Sequence, residues 1–184
     1  MKNSNKILYS VSGNIAILTI NRPERRNALD AETLEQINIL LDRAESDEKV
    51  RVILITGQGD TFSSGFDLKD QMEKAPKGKE WKSILDLDHR TIMRFWNSPK
   101  PTIAAVRGAC LAGGFELSLA CDFTICSKDS FFGEPELKFG AGIVTMLLPG
   151  NRHESSKSNY SIRERRYISI DRFRIWNCYR DDRK

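Results

Sequence analysis

Apolar and polar positions alternate from the start of the chain. Ile7-Leu8-Tyr9-Ser10-Val11 and Ile15-Ala16-Ile17-Leu18-Thr19-Ile20 flank Ser12-Gly13-Asn14, which is the pattern of a β-hairpin. Asn21-Arg22-Pro23 stops its second strand. The period then changes. Leu34, Ile37, Leu41 and Ala44 fall on one helical face, with Asp30 placed to cap it. Val50 to Thr56 is a near-continuous β-branched run, as in a strand buried on both faces. A Gly/Ser/Asp-rich loop from Gly57 to Gly65 leads into a short helix, and Lys74 to Lys79 is a polar connection. Helical spacing returns from Glu80 to Asn97, with Ile84, Leu87, Thr91 and Phe95 in register, and Pro99 and Pro101 close that helix. Thr102 to Val106 reads as a buried strand, Leu111 to Ala120 as a helix opened by glycines, and Asp122 to Cys126 as a strand. Val144 to Leu148 suggests a last helical turn before Pro149. Strands alternating with helices predict an α/β fold.

Three segments carry candidate chemistry: Phe62-Ser63-Ser64-Gly65-Phe66-Asp67-Leu68, Gly108-Ala109-Cys110-Leu111-Ala112-Gly113-Gly114-Phe115-Glu116-Leu117, and Phe132-Gly133-Glu134-Pro135-Glu136-Leu137. Gly113-Gly114 at a strand-to-helix junction leaves backbone N–H groups uncovered at the positive end of a helix dipole, a setting suited to a developing oxyanion. Glu116 falls in the first turn of the same helix between Phe115 and Leu117, where poor solvation favours the protonated carboxyl. Glu136 follows Pro135, which fixes the backbone before it. Two carboxylates converging on one pocket form an acid/base pair. Taken singly, each feature has a plainer reading. A Gly-Gly is most often a turn. A glutamate early in a helix is most often a solvated residue that favours the dipole. Asp67 alone reads as a helix N-cap.

In this order the segments resemble the crotonase family (enoyl-CoA hydratases and isomerases). Asn21-Arg22-Pro23 followed by Asn27-Ala28-Leu29 matches that family's opening motif. The resemblance covers roughly residues 7–149. It implies an α/β spiral of ββα units with two sheets near perpendicular. It also implies that the N–H groups of Phe66 and Gly113 hold a thioester carbonyl, and that Glu116 and Glu136 are the catalytic glutamates. One of these acids would activate the water that attacks the β-carbon, and the other would deliver a proton to the α-carbon. Arg26, Ala28, Ser64, Gly65, Asp67 and Gly114 would line the wall that receives coenzyme A. No metal and no organic cofactor is implied beyond the acyl-CoA substrate. Both glutamates together favour hydration of a 2-enoyl-CoA, with isomerisation as the alternative. The chain departs from the family after Leu137, reading Lys138-Phe139-Gly140-Ala141-Gly142 where many hydratases carry a Pro-Gly-x-Gly-Gly-Thr run. Arg107, Lys138 and Asp122 read as structural or solvated, and His89 as a surface or packed residue.

Charge changes the picture only at the carboxyl end. Residues 1–149 hold 19 Lys+Arg against 20 Asp+Glu, whereas the 35 residues from Gly150 onward hold 10 against 5. A catalytic core over 1–149 and a basic tail over 150–184 are therefore expected, the tail outside the family pattern and poorly ordered. Codon logic suggests a shifted reading frame for it. One base downstream, Asn151 to Ser156 is permitted to read Ile-Gly-Met-Lys-Ala-Ala, a family-like segment. The helical region by which the family closes the CoA site and forms homotrimers or hexamers is then missing, and a catalytically inactive fragment becomes a second reading. An Arg-rich tail that binds nucleic acid is a third. Cys110, Cys121 and Cys126 lie in apolar segments and, with Cys178, lack zinc-site spacing. No apolar run approaches the ~20 residues of a membrane span, so a cytoplasmic protein is expected.

Overall fold

The computed structural model describes residues 5–135 and 166–169. Strands β1 (Ile7–Ser12) and β2 (Ile15–Ile20) form the expected antiparallel hairpin, with Ile7 opposite Ile20 and Ser12 opposite Ile15. β2 then pairs in parallel with β3 (Val52–Gly57), β3 with β4 (Thr102–Val106), and β4 with β6 (Phe123–Cys126). A second, two-stranded parallel sheet joins β5 (Ala109–Leu111) to β7 (Phe131–Gly133). Within the segment expected to be a poorly ordered tail, Arg166–Ser169 runs as β8 beside β6, completing the order β1-β2-β3-β4-β6-β8. Tyr167-Ile168 is a strand-favouring pair, and β6 would otherwise present an open edge. The helical turn expected at 144–148 and the remainder of the tail lie outside the described residues.

Helix α1 (Ala31–Ser46) begins where Asp30 accepts from the Thr33 N–H at 2.8 Å and the Thr33 hydroxyl at 2.7 Å. It buries Leu34, Ile37, Leu41 and Ala44, the stripe read from the sequence. Each of the larger side chains contributes about 1.5–3 kcal/mol by leaving water. α2 (Leu68–Lys74) is short. α3 (Lys79–Trp96) buries Leu87, Asp88, Thr91, Ile92 and Phe95. α1 and α3 pack together, with the Asn38 amide donating to the Thr91 hydroxyl at 2.7 Å. Arg94 bridges to Asp42 at 2.7 Å and to Glu45 at 2.8 Å. α4 (Gly113–Ala120) packs on α3 and touches β4, β5 and β6.

Asn21-Arg22-Pro23 and Asn27-Ala28-Leu29 form a structural knot. Buried Asn27 sits in the left-handed region at φ +55°. Its carbonyl accepts from the Arg22 N–H at 3.0 Å, and its amide donates to Gln58 O at 2.9 Å and Thr61 O at 2.6 Å. The buried Arg22 guanidinium donates to Ala28 O and bridges Asp67 at 2.9 Å and Asp30 at 3.1 Å. Arg25 reaches the other Asp67 oxygen at 2.8 Å, and Lys6 reaches Asp30 at 2.6 Å. Burial alone would raise both aspartate pKa values. For Asp67 the Asp70 N–H and the Arg25 and Arg22 bonds overcome it. For Asp30 the Lys6 and Thr33 bonds do so, and both carboxyls end below the ordinary range.

That direction fixes a pH dependence. A carboxyl depressed in the folded state adds stability above the unfolded aspartate value of about 3.9 and loses it as pH falls through the lower, folded value. Thermal unfolding followed by circular dichroism is expected to show the melting temperature dropping steeply below about pH 4. Asp67→Asn should lower stability at neutral pH and flatten that acid slope. An unchanged acid slope in the variant would contradict the assignment.

Candidate active site

Three backbone segments run side by side at one end of the parallel sheet. Leu29 N–H donates to Gly65 O at 2.8 Å, and Asp67 N–H returns to Leu29 O at 2.9 Å. Ser64 N–H donates to Arg26 O at 3.0 Å. On the other side, Ser63 N–H donates to Ala109 O at 3.1 Å, and Leu111 N–H to Ser63 O at 2.9 Å. The 63–67 loop is thus laced between the 26–29 segment and β5 like a short extra strand, with isolated bridges Leu29–Phe66 and Ser63–Cys110.

This lacing presses the loop onto the first turn of α4. A Cβ on Gly65 would stand 2.5 Å from the Ala112 Cβ and 3.1 Å from the Gly113 nitrogen, and Gly65 has φ +92°. A Cβ on Gly113 would stand 2.6 Å from the Phe66 ring. Both positions therefore need glycine, the first for its backbone conformation and both for space. Ala112, the residue before the helix, holds φ +52° and ψ −131°, a strained conformation for a residue with a side chain. Ala112 N–H donates to Gly133 O at 2.9 Å, so the β5–β7 pairing fixes that strain. Neither the Phe66 N–H nor the Gly113 N–H donates a hydrogen bond to a described residue. Gly113 opens helix α4, so its N–H stands at a helix N-terminus.

Glu116 lies in the same first turn and is 3% exposed, despite being an acid. Its N–H donates to Ala112 O at 3.0 Å. Cys110, Leu117 and Phe132 are buried around this turn, and the Phe115 and Phe132 rings meet at 5.5 Å between centroids. Ala28 is buried, Arg26 exposed at φ +52°, and Ser64 half-buried. Gly114 lies against Ser63. Phe66, Gly113, Glu116 and the expected wall residues Arg26, Ala28, Ser64, Gly65 and Gly114 therefore belong to one locality. Asp67 belongs to it as a strut: both of its oxygens are held by arginines, and it caps α2 through the Asp70 N–H at 3.1 Å. The pairing of Leu111 with Gly133 brings the chain alongside α4 as far as buried Glu134 and Pro135. Glu136, the second expected acid, lies outside the described residues.

Sequence reasoning missed one acid. Asp88 on α3 is 2% exposed. Burial first and the Glu116 charge second push its pKa up to about 7. The signal was present in the α3 stripe, since a step of four from Ile84 lands on Asp88. His89 is exposed, the first of its two expected settings. Asp122 accepts from the Thr102 N–H at 2.9 Å and the Thr102 hydroxyl at 3.0 Å, and exposed Arg107 donates to Gly59 O at 3.2 Å. Cys110 and Cys121 are buried free thiols. Among the described residues no helix is long and apolar enough to cross a membrane.

The arrangement defines an α/β protein with an amide pair and a buried acid at a helix start. The model of the enoyl-CoA hydratase/isomerase family matches residues 10–148, and the chain belongs to that family. A solved enoyl-CoA hydratase/isomerase from Xanthobacter autotrophicus Py2 is 60% identical and superposes with a TM-score of 0.77, covering 79% of this chain and 54% of that one. The short-chain-enoyl-CoA hydratase of Clostridium acetobutylicum is 34% identical over 74% of this chain and 52% of its own length. The hydroxycinnamoyl-CoA hydratase-lyase of Pseudomonas fluorescens is 33% identical over 79% and 51%. The chain spans about half the length of the curated relatives it matches. These likenesses establish the crotonase-like fold class.

The tight passage of Gly65 past Ala112 makes a stability prediction. Gly65→Ala is expected to cost about 2–4 kcal/mol, the range of a backbone-strained, overpacked position, as read by urea unfolding. A cost within 0.5 kcal/mol, the range of a neutral surface change, would show that the loop does not run as described.

Proposed function

We propose that this chain carries an acyl-CoA site for the reversible syn addition of water to a 2-enoyl-CoA thioester. The observation that supports it best is that the N–H groups of Phe66 and Gly113 donate to no described residue, with a buried acid, Glu116, in the same first turn of α4 as Gly113. The thioester oxygen would sit between the two amides. As the water oxygen bonds to the β-carbon, negative charge moves onto that oxygen, where amides already in place stabilise it without reorganising. One glutamate of the pair Glu116 and Glu136 takes the proton of the attacking water, and the other supplies a proton to the α-carbon, so the sum is one water added. Exposed Arg26 would meet the anionic part of coenzyme A. No metal is called on, and the acyl-CoA is the substrate.

Hydration rather than isomerisation rests on there being two acids. Glu116→Gln separates them, because it removes one acid and should abolish hydration without necessarily abolishing double-bond migration. Purified protein mixed with crotonyl-CoA is expected to bleach the ultraviolet absorbance of the conjugated thioester. Glu116→Gln should slow this by about 10²–10⁴-fold, the usual worth of a positioned acid or base. Folded, soluble protein with no turnover would instead favour an inactive fragment. We further propose that the tail is read out of frame. The nucleotide sequence around codon 150 decides it, and downstream bases that fail to encode Ile-Gly-Met-Lys-Ala-Ala in the shifted frame would refute it.

A further inference from the structure

Gly65 is the pliable point of the loop that carries the Phe66 N–H. A glycine at φ +92° has ready backbone alternatives. Rotating the Gly65–Phe66 peptide would turn that N–H around and put a carbonyl in its place. The structure holds Gly65 from both sides. After it, the Leu29 N–H donates to Gly65 O at 2.8 Å. The peptide is planar and trans, so the Phe66 N–H on the same unit points away from the 26–29 segment. Before it, the Gly65 N–H donates to the Ser63 hydroxyl at 3.1 Å. That hydroxyl donates its own proton to Asn27 O at 2.9 Å, which leaves its lone pairs for Gly65. Ser63 is fully buried. Its backbone is pinned as well, the N–H to Ala109 O at 3.1 Å and the carbonyl by the Leu111 N–H at 2.9 Å. Asn27 is anchored in turn by its amide on Gln58 O and Thr61 O. The serine side chain also meets α4: a Cβ on Gly114 would stand 2.6 Å from the Ser63 Cβ and 2.9 Å from its Oγ. One small side chain therefore touches the 26–29 segment, the 63–67 loop and the first turn of α4.

We propose that Ser63 is a positioning residue: its hydroxyl locks Gly65 and so fixes the direction in which Phe66 presents its N–H. An apolar residue of similar size would fill the same space against Gly114. It would leave the Gly65 N–H and Asn27 O without this partner in a buried place. A hydroxyl accepts and donates at once, so it satisfies both. Between Ser63 and Phe66 stands the one residue of the loop with a left-handed backbone, and the hydroxyl grips that residue directly. The consequence for catalysis rests on the proposed hydration reading. An amide held in place stabilises charge on the thioester oxygen without reorganising, so a Phe66 N–H free to turn would cost transition-state stabilisation more than binding. Asn27 of the opening motif then has a part in the site: it takes the Ser63 proton, and the Ser63 oxygen steadies Gly65.

Amide exchange in the nitrogen-15-labelled full chain, without ligand, tests the clamp itself. The Gly65 N–H should exchange slowly with solvent in the wild-type protein, and fast exchange there overturns the proposal with no variant made. In Ser63→Ala the Gly65 N–H should exchange about tenfold faster, the effect of losing one hydrogen bond. The Leu111 N–H, bonded to the Ser63 backbone, should keep its protection. Equal Gly65 exchange in the two proteins overturns the proposal. Butyryl-CoA is then added to both. The downfield displacement of the Phe66 N–H should shrink in Ser63→Ala, whereas that of Gly113 should remain, because the alanine Cβ still rests on Gly114. A Phe66 displacement as large as in wild type reduces Ser63 to a packing residue and likewise overturns the proposal. In protein that hydrates crotonyl-CoA, Ser63→Ala should lower kcat about 10- to 100-fold, the scale of a misplaced contact, with KM little changed. A raised KM with kcat intact would mark a loss of uniform binding and contradict the assignment. Faster Gly65 exchange in Ser63→Ala, in protein that neither binds butyryl-CoA nor hydrates crotonyl-CoA, would sink the hydration reading and leave the Ser63 clamp standing.

Discussion

Backbone-to-backbone lacing of the 63–67 loop between the 26–29 segment and β5 governs the rest of the site. Four hydrogen bonds, from Leu29 to Gly65, Asp67 to Leu29, Ser64 to Arg26 and Leu111 to Ser63, leave the loop one path. That path passes the start of α4 so closely that glycine is needed at 65 and 113. Among the described residues, none accepts from the N–H groups of Phe66 and Gly113. A strand in the middle of a sheet would have used them, and an ordinary helix start would have left its amides to water. Here the loop packs against the helix start, with the Phe66 ring against Gly113.

The charged knot behind the loop has the complementary task. Arg22 is buried at the meeting of Asp30 and Asp67, so one guanidinium joins the α1 cap to the α2 cap. Arginine suits this because its planar fork can serve several acceptors at once and stays charged when desolvated. Buried ion pairs add little net stability over apolar packing. The value of this knot is that breaking it leaves a buried charge uncompensated, so the loop has no cheap alternative position.

Much of the fold was legible because its signals are periodic. The hairpin alternates, α1 carries its stripe and its Asp30 cap, and β3 and β4 are β-branched runs where a doubly covered sheet needs them. β5 and β7 were not legible, since strands of three residues are too short to show a period. For the same reason the helix expected from Leu111 starts two residues later, at Gly113, because Leu111 is paired in β5. Phe66, Gly113 and Glu116 were singled out from motif order; the structure sets the Phe66 ring against Gly113 and puts Glu116 in the same first turn of α4 as Gly113. Asp88 was passed over because helical periodicity seeks apolar residues, and an acid on the buried stripe reads as noise until the packing of α3 on α4 is known. Asp67 shows the opposite limit: its N-cap role was readable from its position before α2, but its two arginine partners come from forty-odd residues upstream.

Amide chemical shifts test the central claim most directly. Butyryl-CoA, saturated and therefore unable to be hydrated, is added to nitrogen-15-labelled protein. The Phe66 and Gly113 N–H protons should move downfield together as they take up the thioester oxygen. Saturable binding of butyryl-CoA that leaves both of these resonances where they were would contradict the account.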